Sequence, residues 1–365
     1  MKTSIALAAA FAVVLTGAQA TAQTPSPAHV ALSPHEGDFA VKDFKFKSGE
    51  TLPQLRLHYM TLGTPRRDAS GHVVNAVLIM HGTGGDGHQF ERPQFADVLF
   101  APGGLLDPAK YFIILPDDIG HGKSSKPSDG LHARFPHYDY DDMVEGEYLL
   151  VSKGLGVDHL RLVMGTSMGC MHSFLWGEQH PDYMDALMPL ACEPTQIAGR
   201  NRMWRKMVID AITQDPAWKG GDYTEQPREA LRTASDLLMI AGSAPRLMQK
   251  TYPTRDAADA DLAEYTDHEL KALDANDLLY QVASSRNYDP SVALEKIAAP
   301  VMWINSADDF INPPELGIAE GLAARIKHVH YVLIPVSDQT HGHGTHTWAA
   351  VWQDYMKALL SSTER

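Results

Sequence analysis

A serine stands between two glycines in "MGTSMGC" (Met164–Cys170), in the pattern G-x-S-x-G. The pattern is short enough to arise by chance, so its neighbourhood has to decide its meaning. An apolar run, "LRLVMGTS", leads into it, and a helical pattern, "MGCMHSFLWGEQH", leads out. That is the strand–turn–helix setting of a nucleophile elbow, in which a tight turn lifts a hydroxyl above the end of a sheet. Both glycines are needed because a Cβ at either position would clash within the turn. The N–H groups at the start of the following helix favour developing negative charge. The residue types therefore point to Ser167 as a nucleophile attacking an acyl carbonyl.

A serine hydroxyl reacts poorly without a base, and the base needs a carboxylate to orient it. In this setting the chain order is serine, acid, histidine. "INSADDFINPP" supplies Asp308 and Asp309 just after an apolar run, and "SDQTHGHGTHTW" supplies His341, His343 and His346 after the next one. "HGTGG" (His81–Gly85) closes an earlier apolar run, where a turn can present a backbone N–H. Thr83 and Met168 are accordingly expected to donate the two backbone N–H groups of an oxyanion hole. His81 reads as a partner of its own turn. Asp117, in "DDIGHGKSS", is likewise expected to bond its own loop. The H-x-H-x-x-H spacing at 341, 343 and 346 also allows a metal site. Metallohydrolase versions place an aspartate before the last histidine, and Thr345 stands there. No metal and no cofactor is therefore expected.

The elements that must hold these residues are legible as patterns. "GDFAVKDFKFKSGE" and "LPQLRLHYMTLG" alternate apolar and polar residues, which predicts an antiparallel strand pair. "NAVLIMHG", "YFIILPDDIG", "LRLVMGTS", "ALMPLAC", "PVMWINSADD" and "VHYVLIP" are continuous apolar runs, the signature of strands buried on both faces. Helical stretches separate several of them, which predicts a mostly parallel sheet flanked by helices. The closing segment, "THTWAAVWQDYMKALL", puts Trp348, Val351, Trp352, Tyr355 and Leu359 on one helical stripe that should cover the sheet. Residues 194–289 break the alternation with charged helical patterns. They read as a helical cap inserted into a core made of 35–193 and 290–365.

Composition limits the function further. The 365 residues carry 31 Lys and Arg against 45 Asp and Glu, a net charge of −14. A chain this acidic has no evident grip on nucleic acid or an anionic membrane. Residues 1–20 contain Lys2 and then "IALAAAFAVVL", followed by "AQA" and "ATA". This predicts a signal peptide cleaved after residue 20 or 22, too short for a membrane span, and so a periplasmic or secreted enzyme. Residues 21–34 read as a flexible lead-in. The two cysteines, Cys170 and Cys192, read as small buried residues, with pairing left open. A homodimer is also left open.

Taken together, "SGETLPQLRLHYMTLGTP", "NAVLIMHGTGG", "FPHYDYDDMV", "LGVDHLRLVMGTSMGCMHSFLWGEQHPD", "AITQDPAWKGGDY" and "DDFINPPE" resemble the α/β-hydrolase fold superfamily, and within it homoserine O-acetyltransferases and their relatives. The resemblance implies Ser167 as nucleophile, Asp309 as acid and His343, in "GHGT", as base, with His346 as runner-up. It implies a small-molecule acyl substrate. The chain also departs from that family. The acetyltransferases usually carry an arginine two residues before the "AI" of their "DP-x-W" segment, where it grips the substrate carboxylate. Ile209 stands here, and Arg202 and Arg205 are read as lying on other helical phases. The expectation is thus an exported serine hydrolase working through an acyl-enzyme. An acyltransferase of the homoserine O-acetyltransferase type is the first alternative, and a catalytically inactive binding protein on the same fold is the second.

Overall fold

The computed structural model describes residues 29–364. The expected signal peptide lies outside the described residues. Eight strands form one sheet: β1 (His35–Lys45), β2 (Thr51–Leu62), β3 (Ala76–Met80), β4 (Phe112–Pro116), β5 (Leu162–Thr166), β6 (Leu187–Leu190), β7 (Val301–Ser306) and β8 (Val329–Ile334). Their spatial order is β1-β2-β4-β3-β5-β6-β7-β8. The first two alternating segments form the antiparallel pair, and β2 joins β4 antiparallel. All pairings from β4 through β3 to β8 are parallel. The reason is visible residue by residue. β3, β4, β5, β6 and β7 are buried along their whole length, so both faces need apolar side chains.

Helices cover the two faces. They are α1 (Pro93–Leu99), α2 (Tyr140–Leu149), α3 (Met168–Gln179), then α4 (Gly199–Thr213), α5 (Arg228–Gly242), α6 (Pro245–Thr251), α7 (Arg255–Ala272), α8 (Ala275–Ala283), and finally α9 (Ala319–Ala323) and α10 (Ala349–Ser362). One face packs α2 and α3 on the sheet through Met143, Val144, Phe174 and Trp176. The other packs α1 and α10 through Phe95, Leu99, Trp352 and Leu359. The expected stripe on α10 is corrected at one residue. Trp348 precedes the helix, is 38% exposed, and stacks on His341 with ring centroids 3.8 Å apart.

Helices α4 to α8 fall between β6 and β7, and α4, α5, α7 and α8 share a small core that includes Trp204, Val208, Ile212, Leu231, Leu270, Leu278 and Val282. Polar bonds tie this layer to the sheet loops. Ser128 Oγ donates to Asp277 Oδ2 at 2.6 Å, and Gln281 Nε2 donates to the Gly120 carbonyl at 2.8 Å. Phe310 and Ile311 also pack against it, just after Asp309.

The pairing of the two cysteines, open at the level of sequence, is decided by the fold. Both are buried, and Cys170 and Cys192 form a disulfide 22 residues apart in sequence. The bond links the first turn of α3 to the second residue beyond β6. Trp303 and Asn305, on β7, hold the same point by donating to the Cys192 carbonyl at 2.9 and 3.2 Å. Sequence separation alone could not show this, because the contact is made by the register of β5 on β6. Closing a loop of this length should contribute about 3 kcal/mol, chiefly through the unfolded chain. Reduction, or a Cys170→Ser and Cys192→Ser double variant, is expected to lower the unfolding free energy by that amount, read as a lower urea midpoint. A midpoint within error of the oxidised protein would contradict it.

Candidate active site

Ser167 sits at the junction of β5 and α3 with φ 55° and ψ −106°, a strained backbone for a non-glycine residue. Two glycines permit it. A Cβ at Gly165 would lie 2.1 Å from the Gly169 carbonyl oxygen, and one at Gly169 would lie 2.2 Å from the Met80 carbonyl oxygen. The Ser167 N–H donates to the Leu190 carbonyl, and the Gly169 N–H donates to the His81 carbonyl, each at 2.9 Å. The second bond draws the end of β3 against the start of α3.

His343 lies in a short helical turn after β8, and its Nε2 is 2.8 Å from Ser167 Oγ. Its Nδ1 is 2.8 Å from Asp309 Oδ2. Asp309, just after β7, is 2% exposed. Burial pushes its carboxyl up, but the His343 charge and hydrogen bonds from His343 and Asn312 outweigh that and hold it below the ordinary value. The Ile311 and Asn312 N–H groups donate to Oδ1 at 2.7 and 3.2 Å, and Asn312 Nδ2 donates to Oδ2 at 3.1 Å. The arrangement can therefore take a proton from Ser167 and hold the resulting imidazolium against a fixed carboxylate.

Asp308 does other work. Its carboxylate accepts from Ser306 Oγ, Thr340 Oγ1 and the Gly342 N–H at 2.5, 2.8 and 3.2 Å, bracing the loop that carries His343. His346 does not reach Ser167 by hydrogen bond. Its ring stands 5.3 Å from that of His343, and burial, then the His343 charge, push its imidazole down to about 3. The three histidines thus diverge: His341 is stacked on Trp348 and His343 is committed to Ser167 and Asp309.

The two expected oxyanion donors are the Thr83 N–H, in the loop after β3, and the Met168 N–H, at the start of α3. Met168 is the first residue of α3, where the N–H has no carbonyl one turn back. Gly82 brings this loop close to the turn: a Cβ there would come 3.4 Å from Ser167 Cβ. His81 braces this loop: its Nδ1 is 2.8 Å from the Gly82 carbonyl, and its Nε2 accepts from the Asp118 N–H at 3.1 Å. Asp117 accepts from the Gly87 and Lys123 N–H groups at 2.9 and 2.8 Å.

Two features were not foreseen. Behind His81, Asp118, Glu147 and His172 form a fully buried group, the one set of potential ligand atoms among the described residues that lie within 4.8 Å of one another. Burial, then the Glu147 charge, push the Asp118 carboxyl well up. Burial also moves Glu147 to about 7, against hydrogen bonds from Asp118 and Trp176. Trp176 Nε1 and His172 Nδ1 lie 2.6 and 2.7 Å from the Glu147 oxygens. Burial thus disfavours the ionised form of both carboxyls. Sequence gave no signal for it, because its members come from three separate segments.

The second feature corrects the helical phase of the arginines. Arg202 and Arg205 precede Ile209 by seven and four residues, which puts all three on one side of α4. Arg205 is 2% exposed, and it donates to Ser285 Oγ at 3.3 Å. The Tyr140 hydroxyl is enclosed with Arg205, Ser285 and Thr83, without a well-directed hydrogen bond to any of them.

Known proteins with this sequence and shape agree on the fold. The family described as alpha/beta hydrolase fold matches residues 75–340. A probable acyltransferase of Methanothermobacter thermautotrophicus is 30% identical, over 76% of this chain and 84% of that protein. A homoserine O-acetyltransferase of Haloarcula marismortui is 29% identical, over 82% of this chain and 85% of that protein. Among solved structures, homoserine O-acetyltransferase from Bacillus anthracis superposes with a TM-score of 0.79 at 22% identity, over 90% of this chain and 97% of that one. An acetylester hydrolase from Corynebacterium glutamicum gives 0.77 at 21%, over 90% and 96%.

The neighbouring pairs in this site are expected to separate on mutation. Asp309→Asn should lower kcat about 10⁴-fold, because an amide cannot stabilise the imidazolium. Asp308→Asn should cost far less, and His343→Ala should cost more than His346→Ala. Steady-state kinetics on one ester checks all four. Equal losses at Asp308 and Asp309 would place the acid elsewhere.

Proposed function

The chain belongs to the α/β-hydrolase fold family and is an enzyme of acyl transfer or acyl hydrolysis; on that premise we propose that it is an exported serine esterase. The observation that carries this reading is the hydrogen-bonded line from Ser167 through His343 to Asp309, with both links at 2.8 Å. His343 Nε2 takes the Ser167 proton as Oγ attacks the acyl carbon. The carbonyl oxygen gains negative charge and turns to the Thr83 and Met168 N–H groups. The ester C–O bond breaks, and the leaving alkoxide takes the proton from His343. Water then gives a proton to His343 and attacks the acyl-enzyme, which releases the acid and restores Ser167.

Export is supported by residues 1–20 and by the disulfide between Cys170 and Cys192, since such bonds persist in oxidising compartments. Compartment in turn favours water as acceptor, because acetyl-CoA is not expected outside the cytoplasm. The relatives named as homoserine O-acetyltransferases favour a second reading, transfer of the acyl group to an alcohol.

Ser167→Ala should lower turnover about 10⁴- to 10⁶-fold while the thermal unfolding midpoint stays near that of the parent. Activity within tenfold of the parent would remove Ser167 from the mechanism. Purified protein should hydrolyse short acetyl esters and release no CoA thiol from acetyl-CoA when homoserine is added. Homoserine-dependent CoA release exceeding ester hydrolysis in kcat/KM would establish the transferase reading instead.

A further inference from the structure

The turn that carries Thr83 is closed by the Gly85 N–H, which donates to the Gly82 carbonyl at 3.0 Å. Gly84, its third residue, has φ 74°, a left-handed backbone that turns of this kind give to glycine. The closing bond does not use the N–H of Thr83, the second residue. Gly82, the first residue, is held by a side chain as well. Its N–H donates to Gln89 Oε1 at 3.2 Å. The other end of the same amide, Nε2, donates to Thr166 Oγ1 at 2.8 Å. Thr166 is the last residue of β5, fully buried, and the peptide bond after it leads to Ser167. One half-buried side chain therefore spans from the turn of an expected oxyanion donor to the residue before the nucleophile.

The two ends of this bridge are not interchangeable. The Gly82 N–H can only donate, so it takes the amide oxygen and leaves Nε2 to donate to Thr166. Gly85 makes room for it, because a Cβ there would stand 2.7 Å from Gln89 Oε1. Gln89 itself rides on a short helical turn, Gly87–Glu91, which Asp86 caps and Phe90 anchors in the core. The His81 ring braces the same loop differently, since it runs to Asp118 beyond β4. Gln89 runs to β5, the strand that carries Ser167. A hydrogen-bond donor stabilises an oxyanion only where the charge develops, and misplacing a reacting group by about 1 Å can cost about a hundredfold in rate.

We propose that Gln89 is a positioning residue of the oxyanion hole: its amide, stretched between Gly82 and Thr166, fixes the place of the Thr83 N–H relative to Ser167 Oγ. This rests on the esterase reading above, with Thr83 as a donor.

Gln89→Met keeps the length of the side chain and loses both bonds. It should lower kcat on 4-nitrophenyl acetate about ten- to a hundredfold, with KM within about threefold, because acylation and deacylation use the same hole. It should also slow the reaction of Ser167 with a 4-nitrophenyl phosphonate by a similar factor, since the phosphonyl oxygen turns to the same N–H groups. Thr166→Val removes the other anchor at nearly constant volume and should lose as much. Thr166→Ser, which restores the hydroxyl, should recover most of that loss. The double Gln89→Met, Thr166→Val variant should lose no more than either single one, since all three cut one tether. The Thr166 variants carry the test if Gln89→Met does not fold. A folded Gln89→Met or Thr166→Val enzyme with kcat within about threefold of the parent would overturn the inference. So would additive losses in the double variant, or a Thr166→Ser enzyme as slow as Thr166→Val. If the parent cleaves no ester but Gln89→Met slows phosphonylation, the esterase reading falls and Gln89 keeps its role. Equal phosphonylation rates, or a Ser167 that takes no phosphonate, would remove that role.

Discussion

A backbone that must reverse at a single residue, Ser167, is the constraint on which the rest of this structure depends. Its φ of 55° costs on the order of 1–3 kcal/mol for a residue with a Cβ. The neighbours hold it there from several sides. The Leu190 carbonyl receives the Ser167 N–H, the His81 carbonyl receives the Gly169 N–H, and the disulfide at Cys170 anchors the first turn of α3 to the end of β6. Each of these partners sits at the end of a strand adjacent to β5. The strained turn thus needs a parallel sheet on both sides of it, and the fully buried β3 and β6 supply it.

The same sheet decides where the other polar groups can act. Asp309 and His343 leave from β7 and β8, two strands that pair in parallel, so their loops emerge on the same side as Ser167. The two carboxylates of the first loop divide the labour. Asp308 binds the His343 loop to it, and Asp309, fixed by four hydrogen bonds, receives the ring. Next to His81, Asp118, Glu147 and His172 hold further polar groups in a fully enclosed space, where burial disfavours their ionised forms. The helical layer buries a cation of its own, Arg205, bonded to Asn201 and Ser285.

Much of this architecture is legible in the sequence because it follows from local rules. Continuous apolar runs mean strands with two covered faces, and the alternating first pair means a sheet edge with one covered face. G-x-S-x-G between a strand and a helix means a turn too tight for a Cβ, and Gly165 and Gly169 meet that demand. Order along the chain was enough to nominate Asp308 or Asp309 and one of His341, His343 and His346, and the family resemblance pointed to Asp309 and His343. What sequence determines here is the list of elements and the chemistry each loop end can offer.

Tertiary structure decided the pairings. Asp308 and Asp309 are adjacent and chemically identical, and only the direction of the β7 loop makes one a brace and the other the partner of His343. The disulfide depends on the register of β5 on β6, and two cysteines in a sequence carry no register. Trp348 fits the α10 stripe by periodicity, yet it lies before the helix begins and is drawn onto His341 instead. Arg205 and Ser285 are 80 residues apart, so nothing local announces their hydrogen bond. Such contacts join segments remote in the chain, and their free energy exists only once the sheet has folded and brought the loop ends together.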